Sequence, residues 1–213
     1  IEAIAVDRGR ATDLLFSAGT AEVLVNSLLL MAGVTGLSVA IGVPLAYLTA
    51  RTDLPFRRFW SVAAALPLVV PSYVGAFSFV SAFGPQGEFH EVLAPLGVQR
   101  VPEIGGLSGS ILVITLYTYP YVYLTTRAAL LSFDTTLLEA ARTLNHGRLA
   151  AFRRVTLPTI RPAIAAGSLL AALYALSDFG TPSIMRLPVF TRQIYVGYNA
   201  FGRDYAALLS LQL

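Results

Sequence analysis

Few side chains in this sequence of 213 residues could take part in acid–base, metal or phosphate chemistry. Cysteine is absent, which excludes disulfides, thiol catalysis and cysteine-based zinc sites. The two histidines, His90 and His146, are far apart in predicted loops, which argues against a permanent metal site. Lysine is also absent, so the chain has no phosphate-binding GxxxxGK[ST] loop. We therefore predict no catalytic residue, no metal site and no cofactor bound by this chain.

The most unusual polar segment is EAARTLNHGRLAAFRRVTLP, residues 139–158, which separates two very apolar regions. The residues TLLE, Thr136 to Glu139, lead into this segment and fit a capping box, in which side chains satisfy the free backbone amides at a helix start. The residues Asn145 to Gly147 are typical of a helix end. We expect a second short helix, about Arg148 to Thr156, that stops because Pro158 cannot continue it.

Two interpretations of this bent polar segment are open. Its arginines could rest on anionic lipid headgroups, as in an interfacial helix. Alternatively, the segment could dock in a groove of a partner protein. The turn in the middle favours the partner protein, because a helix that lies on lipid gains nothing from being broken.

The elements around this segment are typical of a membrane protein. The sequence is 55% hydrophobic and 13% charged, with a mean hydropathy of +0.67, whereas soluble domains are about one quarter charged. The net charge of +3 is better explained by membrane topology than by nucleic-acid binding. Apolar stretches without period-two alternation predict an all-α polytopic helix bundle with four complete spans and the start of a fifth. The expected spans are 23–50, 59–83, 104–126 and 162–183.

The arginines predict the orientation of this bundle. Loops 51–58 and 134–161 carry an excess of arginine, and the positive-inside rule places them in the cytoplasm. Loop 84–103 is acidic and is expected outside, together with residues 1–20. The final apolar run is too short to span a bilayer, so we interpret the chain as a piece of a longer protein.

The polar segment resembles the EAA loop of permease subunits from binding-protein-dependent ABC importers. Glu139, Ala140, Ala141, Leu157 and Pro158 match that pattern at the right spacing, and Val155 stands where isoleucine is expected. Asn145 replaces the glycine of the pattern, with Gly147 two positions on. The segments ARTDLP, LPLVVPSYVGAF, YPYVYL, AFRRVTLP and YALSDFG resemble iron(III)-type permeases in particular. In that subfamily one polypeptide carries two permease halves, and this chain looks like part of the first.

The resemblance implies the fold of a type I ABC importer permease and a transport subunit that is not an enzyme. Its implied partners are a cytoplasmic ATPase dimer that binds ATP and magnesium, a periplasmic substrate-binding protein, a second permease half and membrane lipid. The implied cargo is ferric iron, with thiamine, sulfate, polyamine and phosphonate as alternatives. The residues expected to couple to the ATPase are Glu139, Ala140, Ala141, Arg142, Asn145, Gly147, Arg153, Leu157 and Pro158.

Three further residues are candidates for the translocation path: Asp178, Tyr119 and Tyr121. Asp178 follows a long apolar run and should lie near the outer interface, where an ionisable group is a candidate site. It could instead cap a short following helix. Most tyrosines of the YTYPYVY run are expected to be packing or interface residues.

Two other classes of membrane protein compete with the permease. A membrane-embedded enzyme would need paired acid–base residues within a span, and the predicted spans contain none. An ion-coupled secondary transporter typically needs an ionisable or unwound site at the midplane. The proline-rich second span keeps that alternative open.

Overall fold

A computed structural model of the chain describes residues 18–83, 105–132, 152–199 and Ser210. Helices dominate these ranges, which contain no strand. The predicted all-α fold class is therefore confirmed.

Within the described residues, three helices are long and apolar enough to cross a membrane. Helix α1 spans Ala18–Arg51, and helix α4 spans Gly106–Ser132. Helix α5 spans Leu157–Ser177 and is preceded directly by one π-helical turn, Phe152–Thr156. Because lipid offers no hydrogen bonds, each long apolar segment satisfies its backbone internally as a helix.

The second predicted span, 59–83, is broken rather than continuous. It consists of helix α2 (Arg57–Ala63), a 3₁₀ turn (Leu66–Val69) and helix α3 (Ser72–Phe83). Val70 is extended, with φ −89° and ψ 124°, because the ring of a following proline disfavours the helical conformation. Pro71 then starts α3, and its carbonyl oxygen accepts from the backbone N–H of Val74 at 3.1 Å. These elements make up a fourth membrane span only if α2 with its 3₁₀ turn and α3 are counted together as one bent span.

The helix at the fourth predicted span has other bounds than those expected for the span. We expected Pro158 to end a short helix and a span to run over 162–183, whereas the helical segment runs without interruption from Phe152 to Ser177. Pro158 lies in the first turn of α5, where a missing N–H is tolerated. Two shorter helices follow: α6 (Gly180–Ile184) and α7 (Phe190–Asn199).

The chain divides into two compact units, each built from separate stretches of sequence. The first comprises residues 1–33, 71–114 and 174–213, and the second residues 34–70 and 115–173. In the first unit, Val23 of α1 and Phe190 of α7 are buried together. The second unit has a larger core that joins α1, α4 and α5 through Ala46, Ala50, Tyr119, Tyr123, Leu130 and Ile160.

Candidate functional site

Only one end of the predicted coupling segment lies within the described part of the chain. Glu139, Ala140, Ala141, Arg142, Asn145 and Gly147 lie outside the described residues. Arg153 is exposed on the π-helical turn, and Pro158 is exposed in the first turn of α5. Leu157 is half-buried and packs against the core of the second unit.

This end of the segment is anchored to the helices of the second unit at two points. The ring of Phe152 meets the ring of Tyr47 of α1 edge to face, with centroids 5.0 Å apart. About two turns later, Ile160 is fully buried in the core that also holds Tyr123 and Leu130 of α4. The described end of the predicted coupling segment is therefore continuous with α5 and cannot move without disturbing the core that holds Ile160.

A buried tyrosine joins three elements beside the same core. Tyr123 of α4 is fully buried, and its hydroxyl donates to the backbone carbonyl oxygen of Ser61 at 3.1 Å. Thr49 Oγ1 of α1 lies 3.2 Å from that hydroxyl and 2.8 Å from the Leu45 carbonyl oxygen. Its single proton can serve either acceptor. Sequence reasoning treated Tyr123 as one packing residue among several and missed this role.

Arg127 makes a second connection to the same residue. Its Nη2 donates to Ser61 Oγ at 3.1 Å, and Ser61 Oγ donates to the Arg57 carbonyl oxygen at 2.7 Å. The Arg127 Nε is buried and has no acceptor within the described ranges. Since α2 has no buried residue of its own, Ser61 is its polar attachment to α4.

Two glycines let the helices of the second unit approach each other closely. A Cβ at Gly42 of α1 would lie 3.0 Å from the Tyr119 carbonyl oxygen of α4. A Cβ at Gly167 of α5 would lie 2.7 Å from Val122 Cα. Close packing through small residues of this kind is common between membrane helices.

The tyrosines predicted near the translocation path lie in this closely packed region. Tyr119 is 9% exposed and belongs to the buried core. Tyr121 is half-buried, and its carbonyl oxygen accepts from Thr125 Oγ1 at 2.9 Å. Their placement in a path stays a prediction.

Asp178 lies in the first unit, where it joins several elements. Its Oδ1 accepts from Ser72 Oγ of α3 at 2.9 Å, and its Oδ2 accepts from the Thr181 N–H at 3.3 Å. Its carbonyl oxygen accepts from Thr191 Oγ1 of α7 at 2.9 Å. The contact with Thr181 fits the capping interpretation, because that N–H belongs to the first turn of α6. A role of Asp178 in the path stays a prediction.

Residues 18–83, 105–132 and 152–199 contain no group of three histidine, cysteine or acidic side chains that could hold a metal ion. The polar groups just described instead hold helices together. The arrangement is suited to keeping a helix bundle in a defined packing and offers no acid–base pair.

Comparison with known proteins identifies the family. Residues 38–210 match the family described as "Binding-protein-dependent transport system inner membrane component". The chain is 32% identical to the Fe(3+)-transport system permease protein FbpB 2 of Haemophilus influenzae, over 100% of this chain and 39% of the relative. It is 35% identical to a probable molybdenum ABC transporter permease protein of Haloferax volcanii, over 84% of this chain and 65% of the relative. The chain thus spans less than two thirds of either relative.

Solved structures support the same fold. A bacterial ABC transporter involved in the import of the acidic polysaccharide alginate superimposes with a TM-score of 0.73 at 20% identity, covering 97% of this chain and 78% of that chain. A second alginate transporter structure, with its substrate-bound periplasmic protein, gives a TM-score of 0.74 over 97% of this chain and 77% of that chain. The chain belongs to the inner-membrane permease subunits of binding-protein-dependent ABC importers, which are transport components and not enzymes.

Proposed function

We propose that this chain forms part of the translocation path of an ATP-driven importer and couples that path to a cytoplasmic ATPase through residues 134–161. The observation that carries the proposal is the helical continuity from Phe152 to Ser177. A partner that moves the base of the coupling segment would also move a helix that spans the membrane. ATP and magnesium would be bound by the ATPase dimer.

The packing of the second unit supports this transmission. Phe152 is held by Tyr47, and Ile160 is buried against α4. Close-packed interiors respond to a push by shifting between discrete packings rather than by bending smoothly. A displacement at Phe152 would therefore move α5 as a unit, and a few kcal/mol of differential binding by the ATPase suffices to bias such an equilibrium.

We propose ferric iron as the cargo, delivered by a periplasmic binding protein to this half and to a second permease half. Support comes from the ferric relative and from the resemblance of five sequence segments to iron(III)-type permeases. Molybdate is a second candidate, because a molybdenum permease is equally similar to the chain. Reconstituted full-length transporter, supplied with its binding protein, should take up labelled ferric iron and not labelled molybdate. The reverse result would assign the chain to oxyanion import.

The coupling role is tested by changing Glu139 to arginine in the full-length transporter. We expect ATP-driven uptake to be lost while membrane insertion is kept, because the charge reversal would disturb docking to the ATPase. Asp53→Arg is the matched control, since Asp53 is an exposed carboxylate on the same predicted side of the membrane. Uptake by the control should stay near the wild-type rate.

Two results would contradict the proposal. Normal uptake by the Glu139→Arg variant at normal expression would remove Glu139 from the coupling mechanism. Uptake that is insensitive to vanadate and driven by an ion gradient would indicate a secondary transporter instead. In that case no ATPase should copurify with the permease.

A further inference from the structure

Helix α2 and the residue before it expose a set of aromatic and basic side chains that are not part of the proposed coupling segment. We call it the α2 surface, and it consists of Phe56, Arg57, Arg58, Phe59, Trp60 and Val62. Phe56 is 84% exposed, and Phe59 and Val62 are each 64% exposed. Val62 lies on the same side of the helix as Arg58 and Phe59, because it follows them by four and three residues.

The opposite side of α2 is attached to the C-terminal part of helix α4. Ser61 accepts hydrogen bonds from Arg127 and Tyr123 of α4. Arg127 precedes the end of α4 at Ser132 by about 7.5 Å, at 1.5 Å per residue. The α2 surface therefore lies near the level where the long helices end, which is the level of the lipid headgroups.

The backbone at Phe56 is a second observation on this surface. Phe56 adopts a left-handed conformation, with φ 57° and ψ 35°, directly before α2. Glycine or asparagine would occupy this conformation more easily than an aromatic residue. An exposed aromatic side chain held in an unfavourable backbone conformation points to a use for that side chain.

We propose that the α2 surface binds the headgroup of an anionic phospholipid in the cytoplasmic leaflet. Arg57 and Arg58 are exposed, α2 contains no acidic residue, and arginine pairs well with phosphate. Tryptophan and phenylalanine beside them suit the boundary between headgroups and acyl chains. Anionic headgroups of the cytoplasmic leaflet attract basic segments at the membrane surface. The charge and the aromatic side chains thus select the same partner.

Trp60 gives a direct assay, because it is the only tryptophan in this sequence. The full-length transporter with its ATPase would be placed in vesicles that contain brominated phosphatidylglycerol or brominated phosphatidylcholine. A Trp60→Phe variant, measured in parallel, provides the signal of all other tryptophans for subtraction. The difference reports quenching at Trp60 alone.

We expect brominated phosphatidylglycerol to quench Trp60 at lower mole fraction than brominated phosphatidylcholine. Each arginine near the membrane surface should contribute about fivefold to this preference. Arg58→Gln should therefore reduce the preference about fivefold. Arg186→Gln is the matched control, because Arg186 is an exposed arginine of the other unit, and it should change nothing.

Three outcomes would overturn the proposal. Equal quenching by both lipids would show contact with lipid but no anionic site. Absence of quenching by either lipid would show that protein covers the α2 surface. An equal loss of preference in the Arg58→Gln and Arg186→Gln variants would show that net charge, rather than this surface, selects the lipid.

Discussion

Replacing Gly167 by alanine is expected to force α5 away from α4. The added Cβ would lie 2.7 Å from Val122 Cα and 2.8 Å from the Tyr121 carbonyl oxygen, and it would also meet Thr125 Oγ1. Ordinary Cβ contacts begin at 3.4 Å, so the helices must separate by about 0.7 Å. Thr125 cannot turn away without losing its 2.9 Å hydrogen bond to Tyr121. The atoms that the added Cβ would meet therefore belong mostly to the backbone of α4.

The expected cost can be set against the helix propensity of alanine. Overpacking of this kind destabilises by about 1–3 kcal/mol. Replacing glycine by alanine within a helix stabilises the helix by about 0.5–1 kcal/mol, which offsets part of this cost. The net loss in the free energy of unfolding should be about 0.5–2 kcal/mol. The same separation would loosen the packing that we propose transmits movement from the coupling segment, so uptake should also fall.

Gly36 provides the matched control on α1. A Cβ at Gly36 meets nothing within 4 Å, so Gly36→Ala should be neutral or stabilise by up to about 1 kcal/mol. The assay is unfolding of the full-length transporter in mixed micelles with rising sodium dodecyl sulfate, together with uptake in proteoliposomes. Equal unfolding midpoints for the two variants would refute the close approach of α4 and α5 at Gly167.

Two further substitutions test the polar contacts. Tyr123→Phe removes the hydroxyl that donates to Ser61 and should lower the free energy of unfolding by about 1–2 kcal/mol in the same assay. Its control is Tyr117→Phe, at a half-buried tyrosine of the same helix, which should cost less than half as much. Ser72→Ala removes a donor to the Asp178 carboxylate and should cost about 1.5–3 kcal/mol. Ser78→Ala, at an exposed serine of the same helix, serves as its control and should leave the unfolding midpoint within experimental error. If either variant matched its control, the corresponding hydrogen bond would contribute nothing to stability.

Much of the fold could be predicted from the sequence because apolar length is a local property. Helices α1 and α4 appear where uncharged stretches of sufficient length occur, whereas the segment that leads into α5 begins among arginines. Their ends were less predictable: α4 continues to Ser132, beyond the expected end at residue 126. Arg127 caused that error, because a charge normally marks the end of a span. In the structure its guanidinium donates to Ser61, a partner in another element.

Prolines were interpreted correctly in one place and wrongly in another. The second span was noted as proline-rich, and its helices are indeed interrupted next to Pro71. Pro158 was expected to end a helix, yet the helical segment passes through it. The difference is one of register: a proline in the first turn of a helix interrupts no needed hydrogen bond. Where a helix begins among polar residues, its first residue is hard to predict, and so is the position of a proline relative to that residue.

The sequence by itself determined that the chain is a bundle of membrane helices of a known transport family, because hydrophobic length and a spaced motif are written along the chain. Only the tertiary structure decided what the polar and small residues do. It showed that Tyr123 and Arg127 meet at Ser61, that Asp178 accepts from Ser72, and that Gly167 lies against Val122. The physical reason is that a hydrogen bond or a close backbone approach depends on a partner from a distant part of the chain, and composition and periodicity carry no record of that partner.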